Sequence, residues 1–248
     1  MGFVVPKVIG HRGAKAYAPE NTLASIHAAA DRGVEWVEVD VKLSKDDVAL
    51  VFHDEEVDRC TNASGPFKDM DLARLRELDA GSWYGKDFTG ERIPTLEELL
   101  RTVLHRGLCI NLEIKPSPGR EVQTAEVMLD VASRIWPKDR PPPLISSFQE
   151  QSLGTAVTIM PEWPRSFLID KYRPDWKDRA QSVQASTVNI NGNRSTRDQI
   201  REYVEFAKPV LAYTINQPNK ARELMGLGVH GFFADNPDVI LQAVKSAG

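Results

Sequence analysis

The chain has 248 residues, 42% hydrophobic and 27% charged, and 35 acidic side chains against 31 basic ones leave a net charge of -4. That composition excludes a disordered chain, a collagen-like repeat and a membrane bundle, and its near balance of charge leaves no basic footprint for nucleic acid. A chain of this length buries roughly three quarters of its unfolded surface, so its core needs no disulfides.

The two cysteines, Cys60 and Cys109, lie far apart with no CxxC spacing and read as free thiols of a reducing compartment. The N-terminus has a short apolar stretch without a charged region before it, which does not make a signal peptide. Met1-Gly2 is not followed by a myristoylation pattern, because Pro6 stands where Ser or Thr is wanted. No apolar run approaches about 18 residues. The expectation is a cytoplasmic protein with neither a membrane nor a nucleic-acid partner; the oligomeric state is not legible.

In chain order, a β-branched run predicts a first strand over 4–9, and Leu23, Ile26 and Ala30 at helical spacing predict a helix over 21–31. A strand over 36–41 and a hairpin partner over 48–52 follow. Thr95 and Glu98 form a capping box for a helix over 96–105. A strand over 108–114 leads to a helix over 121–135 with Val122, Ala125, Met128, Leu129 and Ala132 on one face. Strand and helix then alternate: 144–147 with 149–159, 166–169 with a weak helix over 175–184, 187–190 with 195–206, 210–214 with 218–225, and 231–234 with 237–244. With 48–52 set aside as a hairpin strand, eight βα units remain. They predict an α/β fold, a (β/α)8 TIM barrel in one domain over 1–248, with a doubly wound open sheet as the alternative.

Residues 54–94 break this rhythm with turn-rich sequence (Thr61-Asn62-Ala63-Ser64-Gly65-Pro66, Asp79-Ala80-Gly81-Ser82) and the aromatics Trp83, Tyr84 and Phe88. A long loop in a compact domain is usually functional. After the second barrel strand it reads as a rim insertion over the active site, or else as a plug for the barrel end.

Catalytic groups of such barrels sit at the C-terminal strand ends. Residues two apart on a strand share a face. Glu38 and Asp40 therefore project together against Val37, Val39 and Val41, and Asn111, Glu113 and Lys115 project together against Leu112 and Ile114. Buried charges are costly unless paired or metal-bound, and like charges at close range resist joint ionisation. Glu38, Asp40 and Glu113 thus predict an all-oxygen site for one hard divalent cation, Mg2+ or Ca2+. The alternative is a metal-free network neutralised by Arg12 and Lys115, two cations otherwise suited to contacting a phosphate. His11 and His53, at strand ends beside the carboxylates, suit a general acid and a general base near neutral pH. His27, His105 and His230 read as structural or solvated.

His11-Arg12-Gly13, Pro19-Glu20-Asn21-Thr22, Glu38-Val39-Asp40 and His53-Asp54, followed by Glu113-Ile114-Lys115, Tyr213-Thr214-Ile215-Asn216 and Ala234-Asp235-Asn236-Pro237, resemble the glycerophosphodiester phosphodiesterase family, most of all its small bacterial cytoplasmic members. The resemblance runs from about residue 9 to residue 238. It implies a barrel of the phosphodiesterase type that hydrolyses small-molecule glycerophosphodiesters, such as glycerophosphocholine or glycerophosphoethanolamine, to sn-glycerol 3-phosphate and an alcohol. It implies His11 and His53 as the acid–base pair and a divalent metal on Glu38, Asp40 and Glu113. The implied route is attack by the glycerol 2-hydroxyl, activated by the metal and one histidine, then opening of a cyclic phosphate by water. Arg12, Lys115, Glu20 and Asn21 are candidate substrate-binding or supporting residues, Glu20 and Asn21 having helix capping as their alternative. The family's late strand commonly reads Trp-Thr-Val-Asn; Tyr213 departs from it, keeping an aromatic wall for a glycerol moiety and adding a hydroxyl. Trp83, Tyr84 and Phe88 are candidates for a second wall, and Phe148 for the same pocket. The alternative functions are a related barrel phospholipase D-like enzyme and a catalytically silent glycerophosphate-binding barrel.

Overall fold

The computed structural model describes residues 4–206 and 208–246; the expectation for Met1 and Gly2 lies outside them. Nine strands form one sheet: β1 (Val8–Gly10), β2 (Trp36–Leu43), β3 (Ala49–Val51), β4 (Cys109–Ile114), β5 (Leu144–Ser147), β6 (Arg165–Ile169), β7 (Thr187–Asn191), β8 (Val210–Tyr213) and β9 (Gly231–Ala234). All but β3 are parallel. They run β1-β9-β8-β7-β6-β5-β4-β2, and β1 also pairs with β2, so the sheet closes into a barrel and the open-sheet alternative falls.

Each barrel strand but β2 leads directly to the helix that packs outside it. These helices are α1 (Leu23–Asp31), α3 (Leu96–His105), α4 (Glu121–Ile135), α5 (Glu150–Ile159), α6 (Trp176–Ser182), α7 (Arg197–Glu205), α8 (Pro218–Gly226) and α9 (Pro237–Lys245). The outward residues of β2, Val37, Val39, Val41 and Leu43, join Leu96, Leu99, Ala125 and Met128 in the main core. The inward residues near the N-terminal strand ends, Ile9, Trp36, Leu144, Leu211 and Phe233, form a separate apolar layer that fills the barrel below its polar mouth.

Two boundaries differ from expectation for local reasons. The first strand starts at Val8 rather than at residue 4, with Pro6, which has no N–H to donate, just before it. The first helix starts at Leu23 because Asn21 takes a left-handed φ of 59° and Thr22 is the N-cap, its hydroxyl accepting the Ser25 N–H at 3.3 Å.

Between β3 and α3 the chain makes α2 (Leu72–Glu77) and two short 3-10 turns. Phe52, Val57, Phe67, Leu75, Leu78 and Ile93 bury one another there, in a second apolar cluster beside the barrel. Phe52 and Phe67 stack at 5.1 Å. No helix among the described residues is long and apolar enough to cross a membrane.

The turn after β1 is tight. Gly13 has φ 84°, and a Cβ there would lie 2.3 Å from Ser25 Oγ and 2.7 Å from the Ser25 carbonyl carbon. Gly13→Ala is therefore expected to destabilise the protein by about 2 kcal/mol or more, combining left-handed strain with backbone collision. Urea unfolding at neutral pH measures this, and an unchanged midpoint refutes it.

Candidate active site

Every residue of β2 is buried. Its period-2 alternation sends the valines to the helices and Glu38, Asp40 and Lys42 into the barrel. The register with β4 sets Glu38 beside Asn111 and Asp40 beside Glu113. Ligand oxygens of Glu38, Asp40 and Glu113 lie within 4.8 Å of one another.

Partners surround this trio unevenly. The Arg12 N–H donates to Glu38 Oε2 at 2.9 Å, and Lys115 Nζ donates to Glu113 Oε1 at 2.8 Å. Asp40 has Arg12 Nε at 3.3 Å and Lys115 Nζ at 3.7 Å. Asn21 holds Asp40 from two sides: its Nδ2 donates to Oδ2 at 2.9 Å, and its Oδ1 accepts the Asp40 N–H at 3.2 Å. Glu38 Oε1 is buried with no partner among the described residues.

The electrostatics follow from burial. Desolvation, together with the neighbouring Asp40 and Glu113, pushes the Glu38 carboxyl well above the usual range. Desolvation raises Glu113 to about 6 against the pull of Lys115. For Asp40 the same desolvation is overcome by Arg12 and Lys115, which hold it below the ordinary carboxylate range. Protein cations alone therefore do not keep the trio fully ionised near neutrality. A hard divalent cation would, and it would give the orphaned Glu38 Oε1 a partner. The residues present fit such an ion.

His11 follows β1 and His53 follows β3. Each is fixed through Nδ1 by a carboxylate: His11 by Asp235 Oδ1 at 2.7 Å, His53 by Asp54 Oδ1 at 2.5 Å. Both aspartates are held below their ordinary range: burial alone would raise them, and their bonded partners, His11 for Asp235 and Arg59 with His53 for Asp54, outweigh it. An ionised carboxylate can only accept, so each imidazole donates from Nδ1 and keeps Nε2 for exchange with a substrate. Burial lowers both imidazoles, with Asp235 partly offsetting it for His11 and Asp40 for His53. Asp235 is itself held by Asn216, which donates to Oδ2 at 2.8 Å and accepts the Asp235 N–H at 2.8 Å.

A cavity of about 460 Å³ opens at the C-terminal mouth of the barrel. His11, Arg12, Glu38, Asp40, His53, Glu113, Lys115 and Tyr213 line it, as does Phe148. Glu20 and Asn21 do not; they stand behind Arg12 and Asp40 and hold them. Trp83, Tyr84 and Phe88 do not reach the cavity either, which overturns their expected role as a wall. They pack edge-to-face on one another at 5.6 and 5.4 Å instead, and the Trp83 indole donates to the Ala80 carbonyl.

One participant carried no signal in the sequence. Arg59, from the segment between β3 and α3, donates to Glu20 at 2.7 and 2.9 Å and to Asp54 at 2.6 Å. Glu20 also accepts Arg12 Nη1 at 2.6 Å. Arg59 thus ties the support of Arg12 to the support of His53. The aspartates behind the histidines were visible only as neighbours within motifs, Asp54 after His53 and Asp235 after Ala234.

With this geometry in view, the comparisons are direct. Residues 11–239 match the glycerophosphoryl diester phosphodiesterase family. The chain belongs to that family. The YhdW protein of Bacillus subtilis (strain 168) is 35% identical, covering 96% of this chain and 98% of its own. The glycerophosphodiester phosphodiesterase of Caldanaerobacter subterraneus subsp. tengcongensis is 31% identical over 97% of this chain and 98% of its own. The solved structure of an Oleispira antarctica phosphodiesterase in complex with the product sn-glycerol-3-phosphate superposes with a TM-score of 0.93 at 36% identity, covering 97% of each chain.

Glu20 gives a stability test of the support layer. Burial would raise its carboxyl, but Arg59, Arg12 and Lys15 lower it from 4.5 to about 2. Its stabilising contribution is complete above about pH 4.5 and is lost as pH falls toward about 2. Glu20→Gln is expected to destabilise the fold at pH 7 by about 3 kcal/mol, because Arg12 is left buried with fewer counter-charges. The gap between the two proteins should narrow as pH drops through that window. A gap independent of pH, followed by urea unfolding, refutes the assignment.

Proposed function

We propose that this chain hydrolyses glycerophosphodiesters to sn-glycerol 3-phosphate and an alcohol, with His11 and His53 as the acid–base pair. Glu38, Asp40 and Glu113 hold one divalent cation, Mg2+ or Ca2+. The observation that carries the reading is two imidazoles, each anchored at Nδ1 by its own carboxylate, opening with three convergent carboxylates on a single cavity. We also read 1–248 as one barrel domain with 54–94 inserted in it, and we place the protein in the cytoplasm, since Cys60 and Cys109 are both free thiols.

The chemistry asks for three things. Charge building on the nonbridging phosphate oxygens must be offset where it forms. Arg12 and Lys115 supply it: their carboxylate neighbours outweigh burial and raise both groups, so both stay cationic. Bound at the carboxylates, a divalent ion supplies Lewis-acid charge against phosphate and hydroxyl oxygens. The protons move at Nε2 of the two histidines: one takes the proton of the attacking glycerol 2-hydroxyl while the other gives its proton to the departing alcohol, and in a second step water opens the cyclic phosphate, its proton taken by one imidazole and the freed glycerol oxygen protonated by the other. Asp54 and Asp235 keep the rings aimed and stabilise whichever imidazolium forms.

The test is coupled release of glycerol 3-phosphate from glycerophosphocholine. Chelation by EDTA should abolish turnover, with recovery on adding Mg2+ or Ca2+; full rate after chelation sinks the metal assignment. His11→Ala and His53→Ala should each lose roughly 100-fold or more in kcat with an unchanged circular dichroism spectrum. The base must be neutral to act. Burial lowers both histidines from 6.5, so the acid limb of kcat/KM should fall below pH 6.5, the rate dropping as the pH is lowered through it. A limb above pH 7 contradicts this. Arg59→Ala should lower kcat on the order of tenfold with a smaller change in KM, by releasing Asp54 and Glu20 together. Partial rescue by Arg59→Lys would separate aim from bulk folding.

A further inference from the structure

The ends of β7 and β8 face the carboxylates across the cavity. In the closed barrel β7 lies four strands from β2 in either direction, and β8 four from β4. With the glycerol and phosphate of a diester held at the carboxylates, Arg12 and Lys115, the β7–β8 wall is the face of the cavity left opposite them for its alcohol. This step rests on the hydrolase reading above.

The chemistry of that wall is closed to cations. Asp170, just after β6, is its only carboxylate among the described residues, and it is engaged. It accepts Arg194 Nη1 at 2.8 and 3.0 Å and Asn191 Nδ2 at 2.9 Å. The aromatic alternative is occupied as well. Phe148 meets Tyr213 edge-to-face, and Lys115 Nζ already lies 5.3 Å over the Phe148 ring. Trp83, Tyr84 and Phe88 are elsewhere. Phe233, the further ring lining the cavity, is buried in the apolar layer, so among the described residues no open cage for a quaternary ammonium is left.

Neutral hydrogen-bonding capacity remains. Tyr213 Oη is buried with no partner among the described residues. The Thr214 hydroxyl and the outer N–H groups of Arg194 have no protein partner among the described residues. Donors and acceptors thus stand side by side with their charge neutralised, the complement of a group whose hydroxyls both donate and accept. We propose that this wall selects an uncharged polyol as the alcohol of the diester, over a quaternary ammonium alcohol. A trimethylammonium group desolvates Tyr213, Thr214 and Arg194 without returning a hydrogen bond, and it brings a cation toward Arg194 and Lys115. Sites built to bond a hydroxyl discriminate strongly against analogues that lack it.

The test compares kcat/KM for glycerophosphoglycerol and glycerophosphocholine on the full chain loaded with Mg2+ or Ca2+, both read as glycerol 3-phosphate. The wild type should favour the glycerol diester by about tenfold or more, the value of one well-made hydrogen bond. Tyr213→Phe, which keeps the ring, and Arg194→Gln, on an exposed side chain, should each pull that ratio toward one. A wild-type preference for the choline diester overturns the proposal. So do variants that lower both substrates by the same factor, since the two residues would then be reading the glycerol half that both share. Turnover of neither diester overturns the hydrolase reading itself, and is distinguished from the other failures by the absence of any glycerol 3-phosphate.

Discussion

Three carboxylates buried inside a barrel are the constraint around which this protein is arranged. Glu38, Asp40 and Glu113 are each less than a tenth exposed, and their oxygens converge. Water does not screen them there, and like charges in a low dielectric repel strongly. The protein answers with alternating charge. Asp40 meets Arg12, Arg12 meets Glu20, Glu20 meets Arg59, Arg59 meets Asp54, and Asp54 meets His53. The series leaves the cavity at one carboxylate and re-enters it at an imidazole. Each member offsets its neighbour, so cutting the series leaves a buried or half-buried charge with fewer counter-charges. Glu38 and Glu113 stand outside the series, and Glu38 Oε1 has no partner among the described residues; a cation fits there.

The backbone is bent to make this circuit possible. Arg12 and Asn21 both take left-handed φ values, 52° and 59°. Such a conformation costs on the order of 1–3 kcal/mol in a residue with a side chain. For Arg12 it lets one residue bond Glu38 through its N–H and reach Glu20 and Asp40 through its guanidinium. For Asn21 it lets the amide clamp Asp40 at both its carboxylate and its N–H. The Asn21 N–H also donates to the Arg12 carbonyl at 3.1 Å, so the two strained residues hold each other. Strain here is tied to hydrogen bonds made only in that conformation.

This explains what could be read from the sequence. The carboxylate face was legible because strand periodicity is local: Glu-Val-Asp and Asn-Leu-Glu each state their own phase, and two adjacent parallel strands bring the phases together. Closure of the barrel was legible as a count of βα units. The contacts behind the site were not, because they are non-local. His11 and Asp235 are 224 residues apart in sequence, and Arg59 reaches back 39 residues to Glu20. Glu20 and Asn21 carried the right proximity but not the direction, since only the turn at φ > 0 shows that they face protein groups rather than the cavity. Trp83, Tyr84 and Phe88 misled for a related reason. Aromatic residues in a rim insertion suggest a pocket wall, but edge-to-face packing lets them satisfy one another.

The phase of β2 also accounts for a contact made by the segment between β3 and α3. The alternation that delivers Glu38 and Asp40 inward must deliver Lys42 inward as well, and its side chain is fully buried. An unpaired ammonium in that position is worth several kcal/mol of destabilisation. Burial lowers the Lys42 ammonium, and Glu55, which accepts Nζ at 2.7 Å, opposes the shift. Glu55 belongs to the same segment that supplies Asp54 to His53 and Arg59 to Glu20. A two-residue hairpin turn after β3 would give the strand a shorter path to α3 but none of these three counter-charges. The segment between β3 and α3, held in place by its apolar cluster, thus answers the positive charge that β2 points into the barrel, Glu55 pairing with Lys42, while Asp54 and Arg59 of the same segment serve His53 and Glu20.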